Sequence, residues 1–375
     1  MSADSEFRPL EILAERLRTR IRSEGPLSVA AFMSEALFDP MAGFYATKDP
    51  LGAANDFITA PEISQMFGEL IGLWAAEVWG QMGAPNPVKL IELGPGTGKM
   101  MSDILRAGRA APGFIDSVDV HLVEASPALK MVQGETLSNA PCRVQWHKRL
   151  DDVENGPSII VSNEFLDCLP IRQAVFHQGQ WRERVVGFHP EDDTRFAFRL
   201  GAVLSQSDIE TLPEALRSGQ EGQLVELRTA DAPLMAQIAT RLKTHPGYAL
   251  FIDYGADAPV YGDTLQAIAK HQKVDPLAQP GGADLTSWAF FDRLASLGRV
   301  EGLEAYGPTG QGDFLLGLGI EQRAAMLARA LDEARQKVLH RQLERLTHRD
   351  EMGELFKVMA FSSPNLPDAP GLDRN

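Results

Sequence analysis

The sequence predicts an α/β fold: a doubly wound, mainly parallel sheet with a helical N-terminal extension and an antiparallel β insertion. Three observations carry this. From residue 88 onward, short apolar runs alternate with helix-length amphipathic stretches, the pattern of a parallel sheet wrapped by helices. The first of these runs passes straight into a glycine-rich turn, Gly94-Pro95-Gly96-Thr97-Gly98. Between residues 171 and 228 the rhythm breaks into four strand-like segments separated by turns.

The elements follow in order. Leu10, Leu13, Leu17 and Ile21 are spaced three to four apart, which predicts a helix stopped by Gly25-Pro26. Ser28 is placed to cap a second helix over 29–38, and an irregular glycine-rich piece is expected at 41–55. Thr59-Ala60-Pro61-Glu62 has the pattern of a capping box. The helix behind it shows one apolar face through Ile63, Phe67, Leu70, Ile71, Trp74 and Val78. Strands are expected at 88–93, 118–124, 143–147 and 159–163, with helices after the first two. The insertion should place strands at 171–176, 181–188, 195–199 and 223–227. A helix at 233–243 and a strand at 248–253 restore the α/β order, and a long loop is expected over 254–286. Beyond it the patterns predict a helix at 286–297, strands at 299–303 and 313–318, and one long helix through Leu327, Leu331, Val338 and Leu346. The expected organisation is a helical cover at 1–85, a Rossmann-like domain at 86–360 with its insertion at about 171–230, and a flexible tail at 361–375.

Composition removes several functional classes. The 375 residues are 44% hydrophobic and 23% charged, ordinary for a globular protein. The net charge of −15 repels phosphate backbones, so no nucleic-acid partner is expected, and a basic partner is favoured. No uncharged apolar stretch is long enough to cross a bilayer, so no membrane insertion is expected. Residues 1–24 lack an apolar core and are rich in acids, and only two cysteines occur; a cytoplasmic location is the expectation. The eight histidines are scattered without ligand spacing, so no metal is proposed. The sequence leaves open whether the chain forms a homo-oligomer.

The glycine turn distinguishes three ligand classes by spacing. A triphosphate-binding loop needs glycine five positions before Gly98 and Ser or Thr after Lys99, where the chain has Leu93 and Met100. A dinucleotide fingerprint needs its third glycine where Lys99 stands, which disfavours a nicotinamide-dependent oxidoreductase. Glu92, Gly94, Gly96 and Gly98 instead match the E-x-G-x-G-x-G turn of an S-adenosyl-L-methionine site. Glu124 closes the second strand, where a carboxylate can accept ribose hydroxyls, and Ser126 opens the helix after it. Both are assigned to the cofactor.

The fourth strand runs into Asn163-Glu164-Phe165-Leu166-Asp167, at the carboxyl end where doubly wound sheets bind ligands. Asn163 is assigned beside the cofactor. Glu164 and Asp167 are the catalytic candidates: spaced three apart, they share a face if the chain turns helically, and paired carboxylates grip a guanidinium through bidentate hydrogen bonds. Asp167 as a simple turn cap is the alternative, and the spacing does not identify the nucleophile. Asp253 and Tyr254 end the fifth core strand and could line the substrate side. A non-catalytic chaperone that keeps S-adenosyl-L-methionine as a structural ligand is the rival from another functional class.

At these residues the chain resembles the MidA family. The resemblance runs through Gly25-Pro26-Leu27-Ser28, Gly43-Phe44-Tyr45, residues 56–69, the glycine turn, Asn163 to Asp167, residues 252–255, residues 280–286 and residues 352–358. It implies a class I S-adenosyl-L-methionine-dependent methyltransferase fold and an arginine-bearing protein substrate. The mitochondrial member of the family modifies the 49 kDa-type subunit of NADH:quinone oxidoreductase (complex I), so a respiratory subunit is the implied partner. The long 56–69 motif further implies that Thr59, Pro61, Glu62 and Gln65 cover the cofactor.

Overall fold

The structure, a computed structural model, describes residues 3–47 and 59–375. Residues 56–58 of the long motif, and residues 48–55 of the expected irregular piece, lie outside the described residues.

The main sheet runs, in spatial order, Glu304–Gly310, Phe356–Ser362, Gly247–Ala256, Ser158–Asn163, Val88–Leu93, Val118–Val123 and Val144–His147. The last five are mutually parallel, and Phe356–Ser362 is antiparallel to both of its neighbours. From Val88–Leu93 the chain builds outward on one side, then returns to lay Ser158–Asn163 on the other. The switch point therefore falls between these two strands, and the glycine turn and the Asn163–Asp167 turn emerge side by side at their carboxyl ends.

Alternation sorts the central strands into two cores. Leu90, Ile159, Val161, Leu250 and Ile252 face the helix Gln65–Gln81 through Phe67, Leu70, Ile71 and Trp74. Ile91, Ile160 and Phe251 face the helices Asp231–Thr244 and Phe291–Val300 through Ile238, Leu242 and Leu294. All six residues of Val88–Leu93 and of Ser158–Asn163 are buried, as strands covered on both faces must be.

The insertion forms as expected: Arg172–His177, Gln180–His189, Asp192–Val203 and Leu224–Leu227 make an antiparallel sheet. Leu27–Ser28 joins it as a fifth strand, opposite Val185 and Val186. Helices Ala3–Glu24 and Val29–Phe38 then bury Leu13, Leu17, Ile21, Phe32 and Leu37 in one core with Ile171, Val186 and Leu285. Ser28 accepts a hydrogen bond from Ala31 N, as expected for the cap.

Five expectations are corrected. Residues 313–318 are not a strand but part of the helix Gln311–Gly317, because a short apolar run has no period that separates helix from strand. Residues 299–300 end the helix Phe291–Val300, and the strand begins at Glu304. The long helix is two, Ile320–Ala328 and Glu333–Thr347, separated where Asp332 caps the second by accepting from Arg335 N. The loop at 254–286 holds a small antiparallel sheet, Gln266–Ala269, Gln272–Val274 and Asp284–Thr286. Its tight turn places Lys270 and His271 at positive φ, without the glycine that usually marks such turns. The tail at 361–375 is packed: Ser362 ends a buried strand, Trp74 donates to Pro370 O at 3.2 Å, and the Tyr248 hydroxyl donates to Pro367 O at 2.7 Å.

Candidate active site

The switch point opens into a cavity of about 490 Å³, within the range of small-molecule sites. Its floor is the glycine turn. Gly94 and Gly96 line it at φ 64° and 54°. A Cβ on Gly94 would stand 2.9 Å from the Phe165 ring, so the close approach of the two turns requires a bare backbone there. Glu92 lines the same floor at 2% exposure. Its Oε2 meets no hydrogen-bond partner among the described residues, and burial pushes its carboxyl well above the usual range.

One wall follows Val118–Val123. Glu124 lines it, with Oε1 accepting from Ser126 N at 2.7 Å and Oε2 from Gln133 Nε2 at 3.1 Å. Burial raises its carboxyl against the opposing pull of these donors. Ser126 also lines the wall and caps the next helix through Leu129 N. Gln133 is a positioning residue that no local motif marks. Fully buried, it ties Glu124 to Gly96 O at 2.8 Å and is itself held by Trp146 Nε1 at 2.9 Å.

The opposite wall is acidic. Asn163, Glu164, Asp167 and Asp284 all line it. Glu164 sits at φ 52°, a left-handed conformation that strains a non-glycine residue and is held only where neighbours impose it. Here Glu164 N bonds Ile252 O at 3.0 Å, while buried Asp253 accepts from Phe165 N at 2.9 Å and Leu166 N at 2.7 Å. Asp253 thus acts behind the turn, and neither it nor Tyr254 is among the residues lining the cavity. Burial pushes the Glu164 carboxyl up to about 7, against hydrogen bonds from Ala60 N at 3.1 Å and Asn163 Nδ2 at 2.8 Å. The Asp167 carboxyl is also pushed up, by burial and then by the charges of Asp253, Asp284 and Glu164.

A cover closes the top. Thr59, Pro61 and Glu62 line the cavity, and Pro61 lies within the single turn Ala60–Ile63. The expected capping box does not form. Thr59 makes no side-chain cap, and Glu62 instead accepts from Thr97 Oγ1 at 2.5 Å, tying cover to floor. Two of the expected cofactor residues stand off the cavity. Gln65 is the first residue of the next helix, where Ser64 is the cap, and Gly98 turns the chain at φ 80° into the helix Lys99–Gly108.

Comparisons with known proteins agree with this geometry. Residues 70–309 match the family described as "Putative S-adenosyl-L-methionine-dependent methyltransferase". The chain is 34% identical to the Drosophila melanogaster protein arginine methyltransferase NDUFAF7 homolog, mitochondrial, over 93% of this chain and 84% of that one. It is 32% identical to the Homo sapiens protein arginine methyltransferase NDUFAF7, mitochondrial, over 94% of this chain and 84% of that one. A crystal structure of a Burkholderia thailandensis protein bound to S-adenosyl-homocysteine aligns with a TM-score of 0.85 at 27% identity, covering 99% of this chain and 96% of that one. The Rossmann-like sheet, the glycine turn at its switch point and the match over most of the chain agree: this protein belongs to the family of S-adenosyl-L-methionine-dependent methyltransferases.

Proposed function

We propose that the protein transfers the methyl group of S-adenosyl-L-methionine to an arginine side chain of a protein partner. The observation that carries this reading is the acidic wall, in which Glu164 and Asp167 face a cavity whose floor is the glycine turn. The relatives named as protein arginine methyltransferases support it. The partner we propose is the 49 kDa-type subunit of NADH:quinone oxidoreductase, on the family resemblance, and the cytoplasm is the compartment we assign. A net charge of −15 favours a basic surface on whichever partner docks.

The residues present fit the cofactor. The unpartnered Glu92 Oε2 suits its ammonium group, the bare Gly94 and Gly96 backbone leaves room for its amino-acid end, and Glu124 suits its ribose. When bound, it supplies an electrophilic methyl carbon on a sulfonium. The chain does the rest. Glu164 and Asp167 accept guanidinium N–H groups and turn one ω-nitrogen toward the floor. Positioning of this kind supplies about 7–11 kcal/mol of barrier reduction. The cover residues Thr59, Pro61 and Glu62 stand over the glycine-turn floor, with Glu62 joined to it through Thr97. Once methylated, the nitrogen releases a proton, and a carboxyl held near neutrality is matched to receive it.

The test is methyl transfer from labelled cofactor to the isolated subunit, with mass spectrometry of the modified residue. Label on arginine is expected. Cofactor binding with no label on any co-purifying protein would favour the chaperone reading. Separately, Glu124→Ala should weaken cofactor binding on the order of 10- to 100-fold by calorimetry, the range for hydrogen bonds to a charged group. Unchanged affinity would remove the ribose assignment.

A further inference from the structure

Glu164 and Asp167 share their wall with a third acid from a distant part of the chain. Asp284 opens the strand Asp284–Thr286, is 5% exposed, and lines the cavity. Its Oδ1 accepts the Tyr45 hydroxyl at 2.8 Å, and Tyr45 lines the cavity too. The Tyr45 carbonyl is in turn held by Ser126 Oγ at 2.5 Å, which ties the phenol to the cofactor wall.

The segment carrying Asp284 is fixed to the turn carrying the other two acids. Ser287 N donates to Asp167 O at 2.8 Å. Arg228, 2% exposed, donates to Leu166 O at 2.6 Å on one segment and to Trp288 O at 2.8 Å on the other. Backbone-level bonds therefore set how far Asp284 stands from Asp167, rather than the reach of mobile side chains.

A second observation points to a donor-rich ligand. Asn163 is 8% exposed; its amide nitrogen donates to Glu164 Oε1, and its Oδ1 has no hydrogen-bond partner among the described residues. Buried acceptors without donors are rare in folded proteins. The wall thus presents three carboxylates and a bare amide oxygen. A guanidinium offers five N–H donors in one plane and no acceptor, whereas a lysine ammonium offers three from a single point.

We propose that Asp284 is a third substrate-contacting carboxylate, taking the N–H edge of the arginine guanidinium that Glu164 and Asp167 leave open, with Tyr45 as its positioning residue. This rests on the arginine reading above. It makes recognition of the planar cation depend on two chain segments, the turn after Ser158–Asn163 and the strand Asp284–Thr286.

The test uses two probes on the full chain: adenosine bearing a 5′-alkylguanidine, and the same molecule with a neutral urea in place of the guanidine. Calorimetry should show the wild-type protein preferring the guanidine. Asp284→Asn should cut that preference on the order of 10- to 100-fold while S-adenosyl-homocysteine affinity stays unchanged. Asp284→Ser replaces it, read in the same way, if loss of S-adenosyl-homocysteine binding shows that the asparagine variant has not folded. Tyr45→Phe should move the pH profile of guanidine-probe binding upward, because the carboxylate loses a donor, and leave urea-probe binding alone. Equal weakening of both probes would make Tyr45 merely structural and overturn its part. An undiminished guanidine preference in the Asp284 variant would overturn the proposal. No preference in the wild-type protein would instead overturn the arginine reading on which it rests.

Discussion

Glu164→Gln is expected to cut methyl transfer on the order of 10³-fold while cofactor affinity changes little. That is the middle of the range for losing a positioned acid–base group. Asn163 Nδ2 and Ala60 N both donate to Glu164 Oε1, and a glutamine oxygen can keep both bonds, so the variant isolates loss of the charge that grips the guanidinium. Single-turnover transfer beside calorimetry separates the two effects, and near-native turnover would remove Glu164 from the mechanism. The wild-type pH profile follows from the carboxyl standing at about 7. The ionised form grips the cation, so kcat/KM should rise with pH and at pH 6 reach roughly a tenth of its plateau. Stability should move the opposite way. An acid raised from 4.5 to about 7 on folding binds extra protons in the native state, so its contribution is lost as pH rises through that window. By pH 8 the loss reaches roughly 3 kcal/mol. The glutamine variant should therefore melt higher than wild type at pH 8 although it is inactive, which separates lost chemistry from lost fold.

Arg228→Met is expected to destabilise the protein by about 3–5 kcal/mol, the cost of breaking a buried ion pair from one side. Arg228 and Asp231 are both almost completely buried, with the guanidinium 3.2 Å from the carboxylate. The substitution also takes their donors from Leu166 O and Trp288 O, with which Arg228 joins the two acid-bearing segments. Arg293 stands 3.7 Å from Asp231, beyond hydrogen-bond reach, and offers only partial relief. Arg228→Lys should recover little, because a single ammonium cannot fork among acceptors in different directions. Denaturant unfolding reads the loss. A midpoint unchanged in Arg228→Met would show that these bonds hold nothing, while partial recovery in Arg228→Met with Asp231→Asn would confirm the stranded charge as the cause.

The parts of this molecule legible in the sequence are those whose physics is local. The glycine turn was readable because positive φ at Gly94 and Gly96 demands that residue type. The parallel strands were readable because burial on both faces leaves apolar runs such as Ile159 to Val161. Ser28 could be foreseen because a cap and its acceptor N–H lie within one turn. What escaped depends on partners far along the chain. Gln133 looks like any helix glutamine until Trp146, Gly96 and Glu124 surround it. Glu62 fitted a capping box by spacing, yet Thr97 is its partner. Asp284 lies in the family-like motif at 280–286, but nothing near it in sequence shows that Tyr45 and Asp167 are its neighbours. The run after Asp313 misled because its apolar residues satisfy a strand and a helix equally.

The order of strands in the main sheet also governs how quickly the enzyme can assemble. Ser158 lies beside Gly247, and Tyr248 beside Ser362, so each junction closes a loop of roughly a hundred residues before any contact rewards it. Pairings of such long range place the chain among slow folders, at risk while they wait. Until Phe356–Ser362 docks, Gly247–Ala256 is an edge: seven buried residues in sequence, from Gly247 to Asp253, with their backbone groups on one side unpaired. In that interval the half-built sheet is an aggregation template, and the same strand carries Asp253, on which the Phe165–Leu166 turn depends. Overexpressed at high temperature, the chain should fail through inclusion bodies rather than proteolysis, and yield should recover when synthesis is slowed.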